Sequence, residues 1–179
     1  MIMDSQNVVL ARWNLLNAAA ASREVLPCCG SRSWARGVAA PRPICEPDQM
    51  FAAADRVWGG LAEEDWREAF DSHPRIGQQH ARAATATSLA WSAQEQQAAV
   101  SAEAEGDATK LALAEGNRQY EDRFGRIFIV CALGKGAAEI LSILNARMQN
   151  SMATEWFEAG EQQRQIMQLR LCRWMGVDC

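Results

Sequence analysis

Histidine is scarce in this chain, and one of its two copies, His73, lies in the segment His73-Pro74-Arg75-Ile76-Gly77. A proline biases the residue before it toward an extended backbone, so the imidazole of His73 is expected on a rigid turn rather than a helix face. An imidazole titrates near pH ~6.5 and so suits proton transfer at neutral pH. Read alone, His73 is better explained as a loop residue bonded to a backbone carbonyl. Metal chemistry finds little support. The second histidine, His80, is in the same breaker-rich stretch, and no His-x-x-x-His or Glu-x-x-His spacing occurs. No serine carries a nucleophile-elbow glycine pattern, although triads assembled in space stay open on spacing alone. Gly134-Lys135-Gly136 lacks the rest of a phosphate-binding loop.

Ser92, Glu95 and Gln96 form a second polar group. Ser92 and Glu95 match a capping box, which predicts a helix starting at Ser92. The same residues beside free N–H donors suit an amide-rich or anionic ligand equally well. Arg147, Arg164 and Arg170 lie in or near the last two predicted helices. Each reads either as a structural ion pair or as an anchor for a carboxylate, which a guanidinium fork fits. Arg170 lies between Leu169 and Leu171, so part of its stem is expected to be covered. Cys28 and Cys29 read as small buried residues.

The elements that must position these residues are helical. The predicted helices run from Asp4 to Leu26, stopped by Pro27 and Gly30, and from Pro47, with its ring at the first position, to Gly59-Gly60. Others run from Glu63 to Phe70, from Ser92 to near Gly106 and from Asp107 to Phe124. The last two run from Ala137 to Met148 and from Met152 to Met175. Ile140, Leu141 and Leu144 are expected to face the core; the helix from Asp107 carries Leu111, Tyr120 and Phe124, and the last helix Phe157, Ile166, Leu169 and Trp174. Gly30 to Pro47 reads as a connector anchored by Trp34. A loop from Asp71 to Ala90 holds both histidines, and long loops in compact domains are often functional. The β-branched run from Ile127 to Cys131 has no predicted strand partner and reads as buried helical or extended chain. The expectation is an all-α, single-domain bundle of about seven to eight helices over residues 1–179.

Bulk properties narrow the function. The chain has 179 residues, 49% of them hydrophobic, and a formal net charge of -4. Nucleic-acid binders concentrate Lys and Arg, and no such balance or polybasic run is present. The longest apolar run, Ile127 to Leu133, is far short of the ~20 residues that cross a membrane. Asp4 and Arg12 interrupt the N-terminal apolar stretch, which does not read as a signal peptide. The six cysteines are then expected as reduced thiols. Val177-Asp178-Cys179 is no peroxisomal address, so a cytoplasmic, prokaryotic setting is expected.

In order and spacing, a set of short motifs resembles the 2-oxo-4-hydroxy-4-carboxy-5-ureidoimidazoline (OHCU) decarboxylase family over nearly the whole chain. The set begins with Leu16-Asn17, Cys28-Cys29-Gly30-Ser31, Trp34-Ala35 and Arg42-Pro43. It continues with His73-Pro74-Arg75-Ile76-Gly77, Ser92-x-x-Glu95-Gln96 and Asn117-x-x-Tyr120. Phe124-Gly125-x-x-Phe128-Ile129-Val130-Cys131-Ala132 and Gly134-Lys135 follow. Arg147 with Asn150, Glu155, and Leu169-Arg170-Leu171 complete it. The resemblance implies an all-helical, metal-free, cofactor-free carboxy-lyase of urate breakdown that forms (S)-allantoin. It implies His73 as catalytic histidine, Glu95 as essential carboxylate, and Ser92 and Gln96 as substrate contacts. It further implies Pro74 as pocket wall, the Phe128–Ala132 backbone as substrate-binding and Arg170 as substrate anchor. The implied partner is a small ureidoimidazoline, with no nucleic acid and no membrane, and a homodimer is plausible by the same resemblance. Trp13, Trp156 and Trp174 suit either an interface or a core. Two residues depart from the family pattern: Ile44 stands where Phe is usual, and Arg126 where an apolar residue is common. The competing reading is a non-catalytic helical module that binds a ureide or a partner protein; a weaker one is a decarboxylase or hydrolase of another ureide.

Overall fold

The computed structural model describes residues 7–75, 84–100 and 107–178, with the backbone alone for 96–100 and 107. Expectations at Asp4, Ile76, Gly77, His80, Gly106 and Cys179, and on the Gln96 side chain, lie outside the described residues. Nine helices and no strand are present among the described residues: α1 Val8–Asn14, α2 Ala18–Cys29, α3 Arg32–Ala39, α4 Pro47–Gly59, α5 Glu63–Asp71, α6 Ala86–Val100, α7 Asp107–Phe124, α8 Ala137–Arg147 and α9 Met152–Met175.

The all-α expectation is met, with slightly more helices than expected. The predicted first helix is two, because Asn17 turns its side chain to the Ala20 N–H at 2.9 Å and starts a new one. Pro27 does not stop α2. It sits inside the last turn, and Gly30, at φ 91°, ends the helix. The predicted connector contains α3, capped by the Ser31 hydroxyl on the Trp34 N–H at 3.2 Å. Trp34 anchors it as expected: the ring is fully buried and its Nε1 donates to the Ala54 carbonyl at 3.2 Å.

By packing, the chain divides into two compact units, one made of residues up to Ala69 with those from Arg164, the other of Phe70–Gln163. In the first unit, α3 packs on α2 and α4. Trp13 is a core residue there. Its Nε1 donates to the Ala21 carbonyl at 2.9 Å, and its ring meets Trp174 edge-on at 5.6 Å. Arg42, which precedes a cis proline, donates to the carbonyls of Ala39, Trp13 and Leu16 at 2.8, 3.1 and 2.8 Å. These carbonyls lie at or just beyond the ends of α3 and α1, where a cation is favoured. Ile44, one of the family departures, is buried, and its backbone is held by both ends of the Asn14 amide.

The last helix of the chain ends in a reversal at Gly176, φ 68°, with the Val177 N–H on the Cys172 carbonyl and the Gly176 N–H on that of Arg173. This turn folds the chain back over Cys172, which is disulfide-bonded. The expectation of reduced thiols is corrected there; Cys28, Cys29, Cys45 and Cys131 are free thiols.

In the second unit, α7 packs on α8. The shared core contains Leu113, Tyr120, Phe124, Phe128, Ile140 and Leu144. Each such side chain contributes ~1.5–3 kcal/mol when fully buried. The stripe on α7 runs through Leu113, Gly116, Asn117, Tyr120 and Phe124. It therefore points Leu111 to solvent. Phe157 is exposed for the same reason. The buried face of α9 runs through Glu155, Ala159, Gln163, Ile166, Met167, Arg170 and Leu171, and Phe157 falls off it.

Candidate active site

His73 follows the last turn of α5, whose Phe70 carbonyl accepts the His73 N–H at 3.0 Å. The side chain is 9% exposed, Pro74 beside it is buried, and Ser72 is nearly fully covered. One residue on, the Arg75 guanidinium grips both oxygens of Glu121 on α7, at 2.5 and 2.7 Å, and this carboxylate raises its pKa. His73 and Pro74 are thus tied at one end to a helix terminus and at the other to a bidentate ion pair. The rigid turn expected from the His-Pro pair is present. Burial removes the imidazole from bulk water without placing it on a helix.

Ser92 and Glu95 lie on α6, but not at its start. Thr85 takes the capping role: its Oγ1 accepts the Ser88 N–H at 3.0 Å, and its carbonyl accepts the Leu89 N–H. The predicted capping box at Ser92 is therefore replaced by a longer helix, and its free N–H donors are absent at that position. What remains is a polar face. Ser88, Ser92 and Glu95 follow a three- or four-residue spacing, which puts them on one side of the helix. Ser88 and Ser92 are buried and Glu95 is half-buried.

The stretch from Ile127 to Ala132 runs without helix, turn or bend, as the β-branched run suggested. Phe128, Ile129, Val130, Cys131 and Ala132 are all buried. A buried ion pair holds this stretch in place. Arg147 donates through Nε and Nη2 to Glu155 Oε1 at 2.9 and 2.5 Å, and through Nη1 to the Ile129 carbonyl at 2.7 Å. Tyr120 donates its hydroxyl to the same carboxylate, and Asn150 reaches the other oxygen at 2.8 Å. The guanidinium lies 4.7 Å from the centre of the Phe128 ring. Burial first, then the Glu155 carboxylate, pushes the Tyr120 hydroxyl pKa up, so it stays a donor. Of the two readings of Arg147, the structural ion pair is the one present. Arg164 also pairs, with Asp55 at 3.2 Å.

Arg126, the other family departure, lies between aromatic rings, 5.6 Å from Phe124 and 5.1 Å from Trp156. Cation–π contact accommodates the charge there.

Arg170 is 1% exposed, so the guanidinium is covered as well as the stem, and Nη1 donates to the Pro27 carbonyl at 3.4 Å. Its charge lowers the pKa of the neighbouring Cys28 and Cys29 thiols, but burial outweighs it. Cys28 is pushed well up and Cys29 up to about 12. Both are inert small residues, as expected from sequence.

His73, Pro74, Ser92, Glu95 and residues 128–132 all belong to the second packing unit, and Arg170 to the first. Among the described residues, no group of three His, Cys, Asp or Glu side chains converges as a metal site would require. No described helix is long and apolar enough to cross a membrane. One contact escaped sequence reading: Gln162 on α9 accepts the Cys131 N–H at 2.9 Å. A glutamine in a polar helical stretch carries no signal of that kind.

Comparison with known proteins gives concordant matches. The family model described as OHCU decarboxylase matches residues 14–172, which spans both packing units. The uric acid degradation bifunctional protein TTL of Arabidopsis thaliana is 32% identical over 146 residues, covering 82% of this chain and 44% of that protein. The chain thus spans less than half the length of that relative. The crystal structure of an OHCU decarboxylase in the presence of (S)-allantoin superposes with a TM-score of 0.72 at 30% identity, over 86% of this chain and 97% of that one. An (S)-allantoin synthase structure, at 17% identity, shares the fold, with a TM-score of 0.68 over 92% of this chain and 53% of that one. By the reach of the family match and the concordant fold, this chain belongs to the OHCU decarboxylase family.

Proposed function

We propose that the chain decarboxylates 2-oxo-4-hydroxy-4-carboxy-5-ureidoimidazoline to (S)-allantoin in urate breakdown, with residues 1–179 acting as one functional domain. The observation that carries this reading is the placement of His73: buried, off any helix, fixed on both sides, and in the same packing unit as Ser92, Glu95 and the 128–132 backbone.

The chemistry needs no borrowed electron sink. Loss of CO2 leaves an electron pair on carbon, and the substrate's ring carbonyl, conjugated to an imine-like nitrogen, accepts it. The protein then has three tasks: to hold the carboxylate so that the C–C bond breaks, to stabilise the developing oxyanion, and to return a proton to one face. In this proposal His73 donates that proton to the new C–H centre. Glu95 accepts hydrogen bonds from the substrate and selects its tautomer. Ser92 and Gln96 contact the ring and ureido groups, and Pro74 walls the pocket. The backbone from Phe128 to Ala132 meets the carbonyls. Arg170 holds a substrate oxygen. Delivery from one side yields the S product rather than the racemate. The same family reading implies a homodimer and a cytoplasmic setting.

The test is chiral. Freshly generated substrate is mixed with the protein, and the circular dichroism of (S)-allantoin is followed against the spontaneous background. No acceleration by the parent protein overturns the reading and leaves a ureide-binding module. Removing a positioned general acid costs ~10²–10⁴-fold, so His73→Ala is expected to lose that much turnover. Near-parental turnover by His73→Ala removes the imidazole from the mechanism. A pH–rate profile of Glu95→Gln separates proton transfer, which alters the profile's shape, from positioning, which lowers it uniformly.

A further inference from the structure

Three consecutive peptide groups in the 128–132 stretch are each gripped at one end by a side chain. Arg147 Nη1 holds the Ile129 carbonyl at 2.7 Å, Gln162 Oε1 holds the Cys131 amide at 2.9 Å, and Lys135 Nζ holds the Cys131 carbonyl at 2.9 Å. Two of the three grips are themselves oriented. Glu155 fixes the Arg147 fork, and Glu158 accepts the Gln162 Nε2 at 3.1 Å, which turns Oε1 toward Cys131.

A trans peptide is planar, and its C=O and N–H point in opposite directions. The one cis bond among the described residues is Arg42–Pro43. Gripping one end of each peptide therefore aims the other end. The Val130 N–H points away from Arg147, the Val130 carbonyl away from Gln162, and the Ala132 N–H away from the Lys135 ammonium. Val130 is 8% exposed and Ala132 9%. Among the described residues, neither the amide nor the carbonyl of Val130, nor the Ala132 amide, has a hydrogen-bond partner. Buried backbone groups are almost always paired, so these three are open to water or to a bound ligand. Two donors and one acceptor match a ureide, which presents carbonyl oxygens beside N–H groups.

We infer that Gln162 and Lys135, with Arg147, are positioning residues that turn the Val130 amide and carbonyl and the Ala132 amide toward the ureide substrate. This rests on the decarboxylase reading above. It also sorts the residues from Ile129 to Ala132. Cys131 gives its amide to Gln162 and its carbonyl to Lys135, so its backbone serves as the fixed side of the device.

The experiment has two arms on the full chain. In the first, (S)-allantoin is titrated into 15N-labelled protein. The Val130 and Ala132 amide resonances are expected to move downfield with saturation, and that of Cys131 to move little. A Cys131 shift as large as that of Val130 overturns the inference. In the second arm, Gln162→Met removes the acceptor and Gln162→Glu with Glu158→Gln restores it. Gln162→Met is expected to raise KM roughly tenfold with kcat near parental, as loss of one uniform contact predicts, and to lower the melting temperature modestly because the buried Cys131 amide is left unpaired. The double variant is expected to recover most of that. A Gln162→Met enzyme with parental KM overturns the positioning role while the decarboxylase reading stands. A parent protein with no turnover removes both.

Discussion

Replacing Arg147 with methionine should be among the most damaging single changes outside the proposed catalytic set. The guanidinium is 7% exposed at the side chain and its partner Glu155 0%. Methionine keeps much of the stem volume but removes every donor. Among the described residues, Glu155 then keeps the Tyr120 hydroxyl and the Asn150 amide, and the Ile129 carbonyl loses its Arg147 donor. Breaking a buried pair at one partner costs ~3–5 kcal/mol, because a charge is left uncompensated. Domains of this kind have ~5–15 kcal/mol in total, so a fifth or more of the stability is at stake. For a chain of this length each kcal/mol moves Tm by ~2–4 °C, which predicts a fall of about 6–20 °C. Urea melts followed by far-UV circular dichroism measure the same loss as a lower midpoint at constant m. The control is Arg147→Met with Glu155→Leu. Removing both charges should recover ~1–3 kcal/mol over the single change, since no buried carboxylate remains. An Arg147→Met protein within ~1 kcal/mol of the parent would falsify the account, because it would mean that water or another cation reaches Glu155.

Other outcomes follow from local geometry. A Cβ on Gly37 of α3 would sit 2.7 Å from Val57 Cγ1 and 3.3 Å from Cγ2, and a helical valine cannot easily rotate away. Overpacking of ~1–3 kcal/mol should outweigh the ~1 kcal/mol of helix propensity gained, so Gly37→Ala lowers the urea midpoint. Val57→Ala in that background should cost less than it does alone, which a double-mutant cycle measures. The native protein at pH 8 should alkylate at half-buried Cys45 long before Cys28 or Cys29, read by peptide mass spectrometry. The native pKa of Cys29 is raised to about 12, above the ~8.5 of an unfolded thiol. Keeping that thiol neutral therefore stabilises fully below pH ~8.5, and the contribution is lost as pH climbs toward the native value. Urea midpoints should fall over that range, and Cys29→Ala should flatten the fall.

Helix ends that carry their own stop residue were legible: Pro47 opens α4, Gly125 at φ 68° follows α7, and α9 has the predicted limits. Ends set by a short polar side chain were not. Asn17, Ser31 and Thr85 each start a helix by reaching a backbone N–H, and such residues look the same in a loop. Gly30 to Pro47 read as a connector, yet Gly37 lies inside α3, where α4 passes too close for a side chain. Ser92 had the letter pattern of a cap and lies in mid-helix, because Thr85 had already begun the turn. For the site, the order of motifs pointed to His73, Glu95 and the 128–132 stretch. Gln162 was invisible, since its role depends on which backbone amide the fold brings within 2.9 Å of it.

Arg42 has a consequence for how the first unit opens. One guanidinium closes off carbonyls at the ends of α1 and α3 together, at Trp13, Leu16 and Ala39. Ordinarily each helix end frays on its own, through low-energy local openings. Here neither end can release Arg42 without disturbing the other. The amides of the two final turns should then exchange with solvent as one cooperative group, with a common opening free energy. A lysine, with a compact ammonium in place of a planar fork, would let them open separately.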